Sequence, residues 1–262
     1  MKLDLYQIDA FTDKMFKGNP ACVVPLERWL PDNILLNIAK KNRVAETAFF
    51  IKKDKKFSLR WFTPEIEMDL CGHATLAAAH CLKKILNYKN DKLIFKTLSG
   101  ELIITFKNDY YLMDLPSRMP ISSELPEFVS KALNTLPEEV YKSRDYLLVY
   151  DNEDIIKNIE IDKQIFDQIN LDPGGVIVTS KGKNCDFVSR YFTPQSSILE
   201  DSVTGSSHCS LTPFWAKRLN KESLIAHQIS KRGGSLKCFN NGKRVIIGGK
   251  AKTHFIGKIQ LD

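Results

Sequence analysis

The stretch Leu70-Cys71-Gly72-His73-Ala74-Thr75-Leu76-Ala77-Ala78-Ala79 passes from an extended segment through a glycine into a helix of small residues. A second stretch, Val203-Thr204-Gly205-Ser206-Ser207-His208-Cys209-Ser210-Leu211, has the same form. Each follows an aromatic signature, Arg60-Trp61-Phe62-Thr63-Pro64 in one case and Arg190-Tyr191-Phe192-Thr193-Pro194 in the other. Self-similarity of this kind indicates a duplicated fold, with one site expected where its two halves meet. A shift of 130 residues superimposes Phe57 on Phe187 and Phe62 on Phe192, whereas Gly72 corresponds to Gly205 at a shift of 133. The second loop is therefore three residues longer. At the 130 shift Glu46 falls opposite Val176, so its carboxylate belongs to one half only.

The 262 residues are 43% hydrophobic and 10% aromatic, enough to build two ordinary cores without disulfides or metals. Lys and Arg exceed Asp and Glu by 7, which raises nucleic acid or an anionic surface as a partner. The basic residues are scattered, as in Lys52-Lys53-Asp54-Lys55-Lys56 and Lys83-Lys84, and read as solvated surface rather than a nucleic-acid face. Six cysteines without a CxxC pair suggest neither a zinc site nor a disulfide framework. No apolar run approaches ~18 residues, and acids interrupt the first apolar alternation, so neither a membrane span nor a signal peptide is read. A cytoplasmic protein with reduced thiols is expected.

Along the chain, residues 3–11 alternate as a strand, 17–20 turn, and 21–24 form a second strand. A helix follows with Asp32 as N-cap, ending near Asn42. Residues 44–51 and 57–62 make a hairpin, 73–86 a helix, and 92–106 further strands. Ala74, Ala77, Ala78 and Cys81 keep that helix narrow, as expected if β-structure wraps it closely. The second half carries helices at 126–136 and 161–169, a strand at 145–150, a hairpin from 174–179 and 186–192, and a strand at 244–247. Residues 254–261 have no partner there and are expected to return to the first domain. The domains are read as 1–117, joined by 251–262, and 118–250.

Glu46 is out of place in Val44-Ala45-Glu46-Thr47-Ala48-Phe49-Phe50. Desolvation there favours the protonated acid, which suits a general acid/base, and a structurally paired carboxylate is the competing reading. A glycine turn at a helix start offers backbone N–H groups to an anion, and two such turns, at Gly72 and Gly205, would receive a carboxylate. His73 begins its helix, where the dipole favours a neutral, hydrogen-bonding imidazole; a simple cap is the alternative. Asp201 is either a site residue or part of an acidic loop before the second turn. Ser206 and Ser207 are natural caps, Cys209 reads as core, the role of His208 stays open, and Pro213 is expected to bend its helix. His73 and His80 could share a helix face, but no ligand set converges with them in sequence, so no metal is expected.

Together these residues resemble the PhzF family, part of the diaminopimelate epimerase-like superfamily. The landmarks are Asp9-Ala10-Phe11-Thr12, Gly18-Asn19-Pro20-Ala21, Ala45-Glu46-Thr47-Ala48-Phe49, the Cys71-Gly72-His73 stretch, and residues 200–208. The resemblance implies an α+β fold of two pseudo-symmetric domains, each a mixed β-barrel-like sheet wrapped around a central helix, and a homodimer. It implies a cofactor-free isomerase in which Glu46 moves a proton within a small carboxylated substrate, a dihydro-3-hydroxyanthranilate in the phenazine enzyme. Gly72, His73, Asp201, Gly205 and Ser206 would bind that substrate. Cys71 resembles one of the two thiols of the superfamily's racemases, but its counterpart Thr204 cannot be a thiolate, which disfavours two-base racemisation. A two-thiol epimerase using Cys71 and a catalytically silent binding protein are the alternatives. Ser202 stands where the family commonly has proline and Ser207 where it has alanine, which leaves the Asp201 loop less restrained.

Overall fold

The opening alternation forms strand β1 (Lys2–Ala10), antiparallel to β2 (Asn19–Leu26) in a computed structural model that describes residues 1–171 and 174–261. Gly18 between them has φ +71°, and a Cβ there would lie 2.2 Å from the Ala10 carbonyl oxygen, so the turn requires glycine. Helix α1 (Asp32–Asn42) buries Leu35, Ile38 and Ala39; its N-cap is Pro31, and Asp32 is instead the first helical residue. Strands β3 (Glu46–Lys53) and β4 (Lys56–Phe62) form the hairpin, with Asp54 left-handed at its tip. Strand β5 (Glu67–Met68) leads into α2 (Gly72–His80), and β6 (Lys92–Thr97), β7 (Gly100–Lys107) and β8 (Tyr110–Pro116) follow. Residues Cys81–Ile85 continue α2 as a π-helical turn, so the segment expected to be one α-helix changes its winding near its end.

The second half comprises β9 (Ile121–Ser122), α3 (Glu127–Ala132), β10 (Glu139–Lys142), β11 (Tyr146–Val149), α4 (Glu153–Lys157), α5 (Lys163–Phe166) and β12 (Val176–Lys181). It goes on through β13 (Phe187–Phe192), β14 (Glu200–Asp201), α6 (His208–Leu219), β15 (Ser223–Gln228), β16 (Gly234–Asn241) and β17 (Arg244–Gly249). The pairing β2–β3 parallel, β3–β4 antiparallel, β4–β6 parallel recurs as β11–β12, β12–β13, β13–β15. Two helices are shorter than the sequence suggests. Leu133 turns extended and bridges to Ile161, which ends α3 and delays α5, whose start is then capped by the Asp162 side chain. Helix α6 runs on past Pro213; the Cys209 carbonyl, which a proline at 213 cannot bond, accepts the Arg118 N–H at 2.9 Å.

The last strand, β18 (Ala251–Gln260), pairs antiparallel with β1 from Lys2–Gln260 to Ala10–Ala251. The chain divides into two compact units, Met1–Leu115 with Ile247–Asp262, and Pro116–Ile246. Each packs a mixed sheet around one helix: α2 touches β1, β2, β3 and β18, and α6 touches β15 and β16. Every residue from His73 to His80, and from His208 to Ala216, is buried, as befits helices enclosed on all faces. The architecture is α+β and duplicated. Among the described residues no helix is long and apolar enough to cross a membrane, and the six cysteines are free.

Packing around α2 leaves little slack. Leu76 is fully buried, and a Cβ built on Gly249 would lie 2.8 Å from its Cδ1 and 2.4 Å from a Phe11 ring carbon. Leu76→Ala is expected to destabilise the protein by about 3 kcal/mol, through lost burial plus the cavity left behind. Urea unfolding checks this as a lower midpoint with an unchanged slope.

Candidate functional site

Strand β3 begins at Glu46 and α2 at Gly72, preceded by Cys71 in an extended conformation (φ −140°, ψ 113°). The first N–H groups of a helix have no intrahelical acceptor, so the Gly72 turn presents donors where the side chains of Cys71 and His73 gather. His73 Nε2 lies 3.0 Å from Glu46 Oε2, and Cys71 Sγ lies 3.6 Å from His73 Nδ1. The Glu46 and His73 side chains are 16% and 5% exposed. Despite the short separation, Nε2 and Oε2 are not aligned as a hydrogen bond, and neither atom has another partner among the described residues. Both are thus open to a third polar group.

Burial alone would pull the His73 imidazole down, but its contacts with Cys71 and Glu46 hold it well above its ordinary value. Burial also pushes the Cys71 thiol up, so near neutral pH it acts on His73 as an uncharged hydrogen-bonding neighbour, and the facing Glu46 carboxylate supplies the charge. The neutral imidazole expected from the helix dipole is therefore not what the surroundings favour; a carboxylate at 3.0 Å outweighs a partial charge. The donor atoms of Glu46, Cys71 and His73 lie within 4.8 Å of one another, a proximity the linear sequence conceals. The ring turns Nδ1 to the Cys71 sulfur and Nε2 to the Glu46 oxygen. The arrangement can pass a proton between carboxylate and imidazole.

In the second unit, Thr204 Oγ1 donates to Asp201 Oδ2 at 2.6 Å, and Ser207 Oγ donates to the Thr204 carbonyl at 2.8 Å. Ser207 is the N-cap of α6 by position, but its hydroxyl makes no cap hydrogen bond because it turns back to Thr204. His208, fully buried, is 2.8 Å from that same carbonyl through Nδ1, and burial pushes its pKa down to about 4. Gly205 and Ser206 form the turn into α6; the Gly205 carbonyl accepts the His208 N–H and that of Ser206 accepts the Cys209 N–H.

Gln228 was not singled out from sequence, yet it ties this loop together. Its Oε1 accepts the Thr204 N–H at 2.8 Å, and its Nε2 donates to the Asp201 carbonyl at 2.7 Å and to Thr204 Oγ1 at 3.2 Å. Ser230 Oγ adds a bond to the Ser202 carbonyl at 2.6 Å. These two side chains restrain the loop around Ser202. The signal was available in the alternation of β15, where Leu224, Ala226 and Gln228 are the inward positions. Gln228→Leu would leave the buried Thr204 N–H without its acceptor, and is expected to cost about 1–3 kcal/mol of stability in chemical denaturation.

The repeated arginines explain how the short strands before each turn are held. Arg60 grips Glu67 through Nε (2.6 Å) and Nη2 (2.5 Å) while lying 5.0 Å over the Phe62 ring. Arg190 grips Glu200 in the same way (2.7 and 3.0 Å), 4.9 Å over Phe192. Glu200 adjoins Asp201, so this clamp fixes the strand carrying it. The Thr63 N–H bonds to Ile66 and the Thr193 N–H to Leu199, which places the three extra residues between 193 and 199.

Strand register corrects one equivalence. Phe62 pairs with Thr47 and Phe192 with Val176, so Val176 matches Thr47, and Glu46 matches Gly175. The carboxylate still belongs to one half only.

Residues 8–257 match the family described as phenazine biosynthesis-like protein, PhzC-PhzF. An uncharacterized isomerase of Pseudomonas aeruginosa is 44% identical over 262 residues, covering all of both chains. One from Halalkalibacterium halodurans is 41% identical over 260 residues, covering 97% of each. A crystal structure of a PhzF-family phenazine biosynthesis protein from Enterococcus faecalis superimposes with a TM-score of 0.95 at 44% identity over the whole of both chains. This chain belongs to the phenazine biosynthesis-like (PhzC-PhzF) family and is an isomerase.

Proposed function

We propose that the protein moves a proton between carbons of a small carboxylated substrate without a cofactor, with Glu46 as the general acid/base. The observation that carries this reading is the buried, non-aligned contact between Glu46 Oε2 and His73 Nε2 beside the donor-rich start of α2. Glu46 takes the proton from one carbon and returns it to another. His73, raised by the facing carboxylate, orients that acid and binds substrate oxygen, and Gly72 receives the substrate carboxylate. Asp201, Gly205 and Ser206 are assigned substrate-binding roles. A two-thiol epimerase is not favoured, because Cys71 is a thiol pushed up by burial and its counterpart Thr204 carries a hydroxyl committed to Asp201.

The test is proton NMR in deuterium oxide with no added cofactor, on a panel containing a dihydro-3-hydroxyanthranilate and trans-4-hydroxy-L-proline. Migration of a carbon-bound hydrogen, or its exchange with solvent, without inversion of an amino-acid α-carbon, is the expected result. Inversion abolished by Cys71→Ser would overturn the assignment in favour of the thiol mechanism.

A further inference from the structure

Trp61 is fully buried, and its indole Nε1 has no hydrogen-bond partner among the described residues. A buried donor without an acceptor is rare and calls for an explanation. Register places it. Trp61 pairs with Ala48 on β3, and Ala48 lies two residues from Glu46, so all three side chains leave the same face of the sheet. Diagonal neighbours of this kind are separated by about 7–8 Å, within reach of an indole and a glutamate side chain. That face and the start of α2, which packs on β3, together hold three buried polar atoms without an aligned partner: Glu46 Oε2, His73 Nε2 and Trp61 Nε1.

The molecule's own repeat indicates what the indole lacks. Trp61 corresponds to Tyr191, which pairs with Ile177 as Trp61 pairs with Ala48. The Tyr191 hydroxyl donates to Asp145 Oδ1 at 3.0 Å, and that oxygen also accepts the Gly175 N–H at 3.0 Å. Asp145 precedes Tyr146, which pairs with Val176 as Cys22 pairs with Thr47, so its counterpart in the first unit is Ala21. The second unit therefore satisfies its aromatic donor with an internal carboxylate. The first unit keeps the donor and has a methyl group where the carboxylate would be.

We propose that Trp61 is a substrate-binding residue whose indole N–H donates to a carboxylate oxygen of the ligand, filling the role that Asp145 plays for Tyr191. This rests on the reading of Glu46 and His73 as the reaction site. The donor then selects for an anionic oxygen held to one side of the carbon that Glu46 deprotonates.

The test is a ¹⁵N–¹H titration of the full-length protein with 3-hydroxyanthranilate and trans-4-hydroxy-L-proline. The Trp61 indole resonance is identified as the one missing in Trp61→Phe. A downfield shift of that resonance with at least one probe, with the indoles of Trp29 and Trp215 unmoved, is expected. Trp61→Phe, which keeps a buried ring, is expected to weaken that probe about tenfold. If the Trp61 resonance stays in place at saturating concentrations of both probes, or if Trp61→Phe binds as tightly as the parent, the proposal fails. The Glu46 reading is judged separately by Glu46→Gln turnover: loss of turnover there with a silent indole removes Trp61 from the site and leaves Glu46 in it.

Discussion

Replacing Glu46 with glutamine is expected to lower turnover by about 10²–10⁴-fold, the contribution typical of one positioned acid/base. Glutamine keeps the shape and the polar contact with His73 but cannot take a proton and give it back. Binding of small carboxylates should change little, because Gly72 and the helix start are untouched, so the loss should fall on kcat rather than KM. Thermal stability should also survive. Glu46 is the first residue of β3, and without its carboxylate the buried His73 ring gives up its proton, so the substitution leaves no charge stranded in the core. If Glu46→Gln turned over an identified substrate at the parent rate, the carboxylate would be a structural partner of His73 and the chemistry would lie elsewhere. Cys71→Ser is the companion measurement: a hydroxyl can still hydrogen-bond to His73 Nδ1, so a relay should tolerate it, whereas a thiol mechanism should not.

The duplication was legible because its signature does mechanical work. Arg60 and Arg190 must reach Glu67 and Glu200 and lie over Phe62 and Phe192, so both copies retain the same residues at the same spacing. Glu46 was legible as a charge in an apolar strand, a conflict between local pattern and chemistry of the kind that marks sites. The partners of these residues were not. Glu46 and His73 are 27 positions apart in sequence, and only the packing of β3 on α2 brings them to 3.0 Å. Gln228 reaches back to the Asp201 loop from β15, and a glutamine at an inward strand position carries no mark of its destination. The shortened helices after residues 126 and 161 fail for a different reason. Both segments have helical spacing, but a tertiary bridge between Leu133 and Ile161 takes the backbone that local propensity would have kept helical. The Glu46 equivalence slipped by one residue because a shift fixed on β4 and β13 was carried across a hairpin whose partner strand is offset.

Acidification is expected to remove a large part of the protein's stability between about pH 6.5 and pH 4, through two histidines outside the Glu46 pair. Burial holds His80 down to about 4, with Lys84 and Lys252 adding to the effect, and burial holds His208 down to about 4 as well. His80 sits at the end of α2 with Nδ1 2.8 Å from the Tyr111 hydroxyl and Nε2 2.9 Å from Thr253 Oγ1, joining the central helix to β8 and β18. His208 occupies the start of α6, where its ring lies 5.8 Å from Phe187. Both are neutral in the folded protein at pH 5, whereas in the unfolded chain both are charged. The unfolded state therefore binds more protons in this window, and stability falls with falling pH. It is fully present above about pH 6.5 and is lost as pH drops through the folded value near 4. Each group accounts for about 3 kcal/mol at most, since a pKa unit is worth about 1.4 kcal/mol, and roughly half of that is gone by about pH 5. Urea titrations at pH 7, 5.5 and 4.5 read the effect directly. His80→Gln, which keeps a neutral polar side chain, should flatten the share belonging to His80 while leaving that of His208. A stability profile unchanged between pH 7 and pH 4.5 would mean that both imidazoles reach solvent when protonated, and that the two central helices are less tightly enclosed than their burial indicates.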